Sequence, residues 1–92
     1  MEFSWNSLKS ERLKLTRGVS FKEILRHKIV DTIQHPRIEN QRIFLINYKN
    51  YIWAVPYIRT ENQYFLKTIY PSRKYTKIYQ GGNYEKNKTD QV

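Results

Sequence analysis

Residues 42–70 read RIFLINYKN (42–50), YIWAVPYIRTEN (51–62) and QYFLKTIY (63–70). Three runs dense in β-branched and aromatic residues are separated by short polar turns, at Asn50 and at Glu61-Asn62. This pattern predicts strands over 42–47, 51–58 and 63–70, joined as an antiparallel meander. Pro56 has no main-chain N–H to give a neighbour, so it marks an edge or bulge position within the middle strand. Alternation nominates Phe44, Ile46, Trp53, Val55, Phe65 and Ile69 for the core. Several of these strands are apolar on their other face too. Part of that face therefore needs cover, from the C-terminal helix or from a partner protein.

Towards the N-terminus, Phe3 and Trp5 alternate as in a short strand, and Asn6 is suited to cap a helix starting at Ser7. Residues 7–17 lack strand alternation and end at Gly18, a C-terminal stop. Leu8, Leu13 and Leu15 form a thin apolar face, and Lys9, Arg12, Lys14 and Arg17 a solvated basic one. Ser20-Phe21-Lys22-Glu23 has the form of a capping box, with Val19 and Ile24 as its hydrophobic staple. Phe21, Ile24 and Leu25 share the inward face of this second helix, which should end near His27. Residues 29–35 read best as a strand, though continuation of the helix also fits. Pro36 then opens a loop. Towards the C-terminus, Pro71-Ser72 breaks the last strand, and a helix over 73–80 stops at Gly81-Gly82. The expected fold is α+β, helices packed on a twisted antiparallel sheet in the order β-α-α-β-β-β-β-α. Residues 1–82 make one domain, and 83–92 a mobile polar tail.

The 92 residues are 39% hydrophobic and 15% aromatic, enough for one thin core. No apolar run approaches a membrane span, and no signal peptide opens the chain, so a cytoplasmic protein is expected. The absence of cysteine excludes disulfides, a thiol nucleophile and thiolate-bound zinc. Seventeen Lys and Arg against eight Asp and Glu give +9. The partner should be acidic.

Two segments, Phe3-Ser4-Trp5-Asn6 and Arg17-Gly18-Val19-Ser20-Phe21-Lys22-Glu23, resemble the opening of the BrnT family of bacterial toxins. His35, Glu39 and Arg42 fall where that family often has His-x(3)-Glu-x(2)-Arg. Ile69, Ser72-Arg73-Lys74 and Thr76 fall where it has a final strand and an Arg-Lys turn into a helix. The resemblance implies a RelE-like fold and a type II toxin acting as a ribonuclease that blocks translation. It also implies a cognate ribbon-helix-helix antitoxin, whose complex with the toxin binds their own promoter. Asn6 stands in place of a family Asp, Thr16-Arg17 in place of Lys-His, and Lys77 where the last helix is usually acidic.

Cutting RNA without a metal or other cofactor needs a base for the 2′-hydroxyl, a cation for the crowded phosphate and an acid for the leaving oxygen. The expected catalytic residues are Arg73, Lys67, His35 and Arg42. Arginine offers phosphate a planar double donor, and histidine is the natural proton shuttle near neutral pH. Arg59, Lys74, Lys77, Tyr57 and Tyr70 are expected to bind RNA, the cations on phosphates and the rings against bases. Each has a plainer reading: a solvated mid-strand lysine, a charged first helical turn, a loop histidine, ordinary strand tyrosines. Two histidines without a carboxylate or cysteine pattern make no metal site. The competing functions are a non-catalytic nucleic-acid-binding module and an interaction protein docking on an acidic protein. The RNA reading expects the cations on a single side of the sheet.

Overall fold

Tyr48 faces Tyr51 across a two-residue turn in which Lys49 and Asn50 both take positive φ, 52° and 61°. That geometry matches the twist of the flanking strands, and Asn tolerates it well. In a computed structural model describing residues 2–81, this turn joins the two longest strands. In chain order the elements are β1 (Glu2–Ser4), α1 (Ser7–Arg17), α2 (Phe21–Ile24), β2 (Ile29–Gln34), β3 (Arg42–Tyr48), β4 (Tyr51–Arg59), β5 (Gln63–Leu66), β6 (Tyr70–Pro71) and α3 (Arg73–Thr76). A π-helical turn, Lys77–Gly81, continues α3. The sheet runs β1-β5-β4-β3-β2, with β6 also on β4. The α+β class is as expected, as are the meander and the strand at 29–34. Gly82 and the tail expected over 83–92 lie outside the described residues.

One pairing departs from the antiparallel expectation. β1 runs parallel to β5, Phe3 opposite Tyr64. A parallel pair needs a long connection, and here the helices, β2, β3 and β4 all intervene between the two strands.

The second departure is at Pro56. Leu66 faces Tyr57, yet Tyr70 faces Ala54. Val55 and Pro56 thus lie opposite three residues, Lys67, Thr68 and Ile69. The Pro56 carbonyl accepts the Lys67 N–H at 2.8 Å. A residue's N–H and C=O point to the same flank of a strand, so the donor that proline lacks is missing on this flank. The ladder bulges here, and the expected single strand over 63–70 divides into β5 and β6. A one-residue slip swaps faces. Leu66 and Ile69 therefore both point into the core, 1% and 0% exposed, while Phe65 is only half-buried, a correction to its expected core place.

The helix-side core joins Leu13, Val19, Phe21 and Ile24 to Phe44, Ile46, Val55, Tyr57, Leu66 and Ile69; Trp53 and Leu25 pack at its margin. Burying a side chain such as Phe21 contributes roughly 1.5–3 kcal/mol. On α1 only Ser10 and Leu13 are buried. Leu8 and Leu15, expected on the apolar face, are 71% and 87% exposed. The opposite sheet face carries a second core of Ile43, Leu45, Ile52 and Ala54. Tyr70, Tyr75 and Tyr79 cover it, so the C-terminal segment supplies the expected lid.

The helix ends are as the sequence predicts. Asn6 Oδ1 accepts the Lys9 N–H at 2.9 Å, and Gly18 closes α1 at φ 80°. The capping box is complete: Ser20 Oγ accepts the Glu23 N–H, and Glu23 Oε1 accepts the Ser20 N–H. The buried Ser10 hydroxyl accepts the Phe21 N–H at 3.1 Å, tying α1 to α2. No helix among the described residues is long and apolar enough to cross a membrane.

Lys14 Nζ donates to both Glu23 oxygens, at 2.9 and 2.8 Å. These bonds first, and the Ser20 N–H second, hold the Glu23 carboxyl down to about 2 from its ordinary 4.5. A carboxyl with a depressed folded pKa lends stability above its unfolded pKa and loses it as pH falls through the folded one. Glu23→Gln should therefore flatten the acid limb of Tm between about pH 4.5 and 2, read by circular dichroism melts. An acid limb identical to wild type contradicts this ion pair.

Candidate functional site

β1 accompanies β5 only from Gln63 to Phe65. Beyond Phe65 the outer edge of β5 has no strand neighbour, and the chain leaving β1 turns into α1 beside it. An open cleft of 450 Å³ results. Leu8, Lys9 and Arg12 of α1 line one wall, and Phe65, Leu66 and Lys67 the other. Lys9 and Arg12 are three apart and share one helix face. The Lys67 ammonium sits 5.4 Å from the Phe65 ring centroid. No carboxylate among the described residues lines this cleft. Among the described residues the one ion pair is Lys14–Glu23, elsewhere on α1.

The end of α1 is held to the sheet. Ile69 lies in the bulge, and its carbonyl accepts a hydrogen bond from the Arg17 guanidinium at the end of α1. A helix–sheet crossbrace thus ties the end of α1 to the bulge. The sequence places Lys9 and Arg12 on a solvated basic face and shows their spacing. Their neighbour across the cleft is visible only in the fold.

A second group occupies the helix-bearing face of the sheet. Gln34, Arg42 and Tyr57 face one another across three strands. Arg42 Nη1 donates to Gln34 Oε1 at 3.4 Å. Two residues on from Tyr57, the Arg59 guanidinium lies 6.0 Å from the Tyr64 ring centroid. Tyr57, expected to stack on bases, is instead 4% exposed and lies flat on Phe44 at 4.0 Å. The alternation that puts Arg42 and Arg59 on this face also turns Tyr57 into its core.

The third group rides on the C-terminal segment. Arg73, Lys74 and Lys77 are exposed. Ser72 N–H donates to the Ile52 carbonyl, and Thr76 Oγ1 accepts the Ile52 N–H at 2.8 Å. Ile52 and Pro56 are four residues apart, roughly 13 Å along a strand, so Arg73 leaves the sheet well away from Lys67. Tyr70 is half-buried over the outer core, where burial raises its phenol pKa. It packs the lid over Ile43, Leu45, Ile52 and Ala54.

His35 needs a correction as a proton shuttle. Its Nδ1 accepts the N–H groups of Arg37 and Ile38, at 3.0 and 3.1 Å. The ring braces the loop after Pro36, and the lone pair a general base would use is already engaged. The cations also depart from the expectation of a single side. They divide among the edge cleft, the helix-bearing face and the C-terminal segment, because strand alternation and the bulge send neighbouring residues in different directions. Among the described residues, no three His, Asp or Glu side chains gather as metal ligands.

No protein-family model matches the sequence, and no curated protein matches it. Among solved structures it is similar to the crystal structure of the Brucella abortus ribonuclease toxin BrnT. The chain shares its fold with BrnT. The superposition has a TM-score of 0.54 and covers 78% of this chain and 96% of BrnT, at 14% identity. The BrnT-like fold expected from Phe3–Asn6 and Arg17–Glu23 is thus the fold observed.

The C-terminal segment makes one further contact with the sheet edge. Tyr79 donates its phenol hydrogen to the Asp31 carboxylate of β2. That bond, before any burial, pushes Tyr79 up to about 12 and holds Asp31 below its ordinary value. Asp31→Asn should bring one tyrosine back from about 12 towards 10 in an ultraviolet pH titration. A titration curve unchanged by the substitution contradicts the bond.

Proposed function

We propose that this protein is the toxin of a type II toxin–antitoxin system, a metal-independent endoribonuclease that inhibits translation by cutting RNA. The observation that carries the reading is the edge cleft. It holds an aromatic ring, no acid, and three cations without an ion-pair partner among the described residues, in a fold shared with a ribonuclease toxin. Fold alone does not assign function. A cationic cleft with an aromatic wall, free of acid among the described residues, adds the chemistry that a polyanion requires.

In the proposed reaction the 2′-oxygen attacks the neighbouring phosphorus and the bond to the 5′-oxygen breaks, leaving a cyclic phosphate and a free 5′-hydroxyl. Lys67 neutralises a non-bridging oxygen as charge accumulates and gives the leaving oxygen its proton. The 2′-hydroxyl proton leaves to water. Arg73, on the C-terminal segment away from Lys67, holds a phosphate further along the same strand and so positions the RNA for cleavage. Arg42, Arg59, Lys74 and Lys77 hold flanking phosphates. The net +9 charge also suits an acidic stretch of a cognate ribbon-helix-helix antitoxin that would mask these cations.

The engaged Nδ1 of His35 favours a second reading, a module that binds nucleic acid without cutting it. Incubation of the purified protein with single-stranded RNA in EDTA separates the two. Cleavage is expected, and it should fall roughly 100-fold in Lys67→Ala and by about tenfold in Arg73→Ala through weaker RNA binding, with unchanged melts because both side chains are exposed. Wild-type cleavage in both variants removes these residues from the chemistry. Tight RNA binding with no cleavage by wild type supports the module instead.

A further inference from the structure

The cleft has two walls, and the proposed reaction uses only one of them. Lys9 and Arg12 stand on the other, in an 11-residue helix whose first turn carries no acid. Arg12 is exposed and Lys9 half-buried, and neither has an ion-pair partner among the described residues. An unpaired basic side chain on a helix surface is ordinary. Here two of them face a third cation, Lys67, across a cleft with a half-buried phenyl ring in its wall. The crossbrace from Arg17 to the Ile69 carbonyl ties the helix to the bulge next to that wall, so α1 is fastened to the sheet before any ligand arrives.

We infer that α1 is a nucleic-acid-binding element, and that a single RNA strand passes between it and the β5 edge. Lys9 and Arg12 hold phosphates on the helix wall, Lys67 holds the backbone on the sheet wall, and a base stacks on Phe65. This deepens the proposed function and rests on its claim that the ligand is RNA. The ring decides between polyanions. An acidic peptide would satisfy the three cations equally well but has no use for an aromatic platform, whereas an unpaired base does. Duplex RNA keeps its bases stacked inward and has none to offer Phe65.

The test is fluorescence anisotropy with a labelled single-stranded RNA, titrated with the full chain over a range of salt concentrations. Each phosphate contact to a single strand contributes about 0.7 to the slope of log K against log salt. Lys9→Ala/Arg12→Ala should weaken binding about tenfold or more near 0.1 M salt and lower the slope by about 1.4. Phe65→Ala should weaken it about fivefold or more with the slope unchanged. Lys22→Ala/Arg26→Ala on and beside α2 removes the same charge away from the cleft and should have little effect. Restoring charge by Lys9→Arg/Arg12→Lys should restore binding.

Equal losses in the two double variants would overturn the inference, because net charge alone would then account for binding. Preference for a polyglutamate peptide over RNA, with the same dependence on Lys9 and Arg12, would overturn the choice of ligand. Failure of wild type to bind any RNA would overturn the proposed function itself, an outcome distinct from both.

Discussion

Pro56 occupies the middle of β4, between β3 on one flank and β5 with β6 on the other, and has no hydrogen to give. The consequences run through the whole molecule. Its flank receives three residues against two, and the slip carries Ile69 into the helix-side core and Tyr70 onto the outer one. From there the chain is already over the outer face, where Tyr75 and Tyr79 complete the cover of Ile43, Leu45, Ile52 and Ala54. The bulge also places the Ile69 carbonyl within reach of Arg17, so α1 is fastened to the sheet beside the cleft. A single missing N–H thus accounts for the division of the last strand and for the turn of the chain from the helix-side core to the outer one.

Local signals in the sequence are sound wherever a few neighbouring residues decide the outcome. Asn6, Gly18 and the Ser20–Glu23 box fix the helix ends by bonds spanning three or four residues. Those same residues carry the resemblance to BrnT. The resemblance therefore speaks mainly to the fold, because it rests on caps and stops and not on reacting groups. Pro56 is legible as an irregular position. Its effect on the partner strand is not, since alternation along 63–70 says nothing about a slip imposed from across the sheet. Phe65 and Leu66 change places for that reason.

Leu8, Leu15 and the candidate site are harder for a related reason. Leu8 and Leu15 lie seven apart on α1, yet Ser10 and Leu13 face the core, because the Ser10 hydroxyl is committed to the Phe21 N–H. Tyr57 looks like any strand tyrosine until Arg42 is placed opposite it and Phe44 beneath its ring. His35 looks like a shuttle until two main-chain donors meet its Nδ1. The cleft depends on the parallel β1–β5 pairing, which brings together residues far apart in the chain. No periodicity within a short window contains that information. What the sequence does carry is the charge excess. In space the candidate site cations fall into three groups, and in the cleft Lys9, Arg12 and Lys67 line the walls with Phe65 and with no acid among the described residues.

The central claim, an RNA strand in the edge cleft, is tested most directly by titrating the isotope-labelled protein with single-stranded RNA and measuring amide nuclear magnetic resonance shifts. The largest changes are expected at Lys9, Arg12, Leu66 and Lys67, with lesser ones at Arg42, Arg59, Arg73 and Lys74. Changes centred on Thr32, Arg42 and Arg59, or none at saturating RNA, would contradict it.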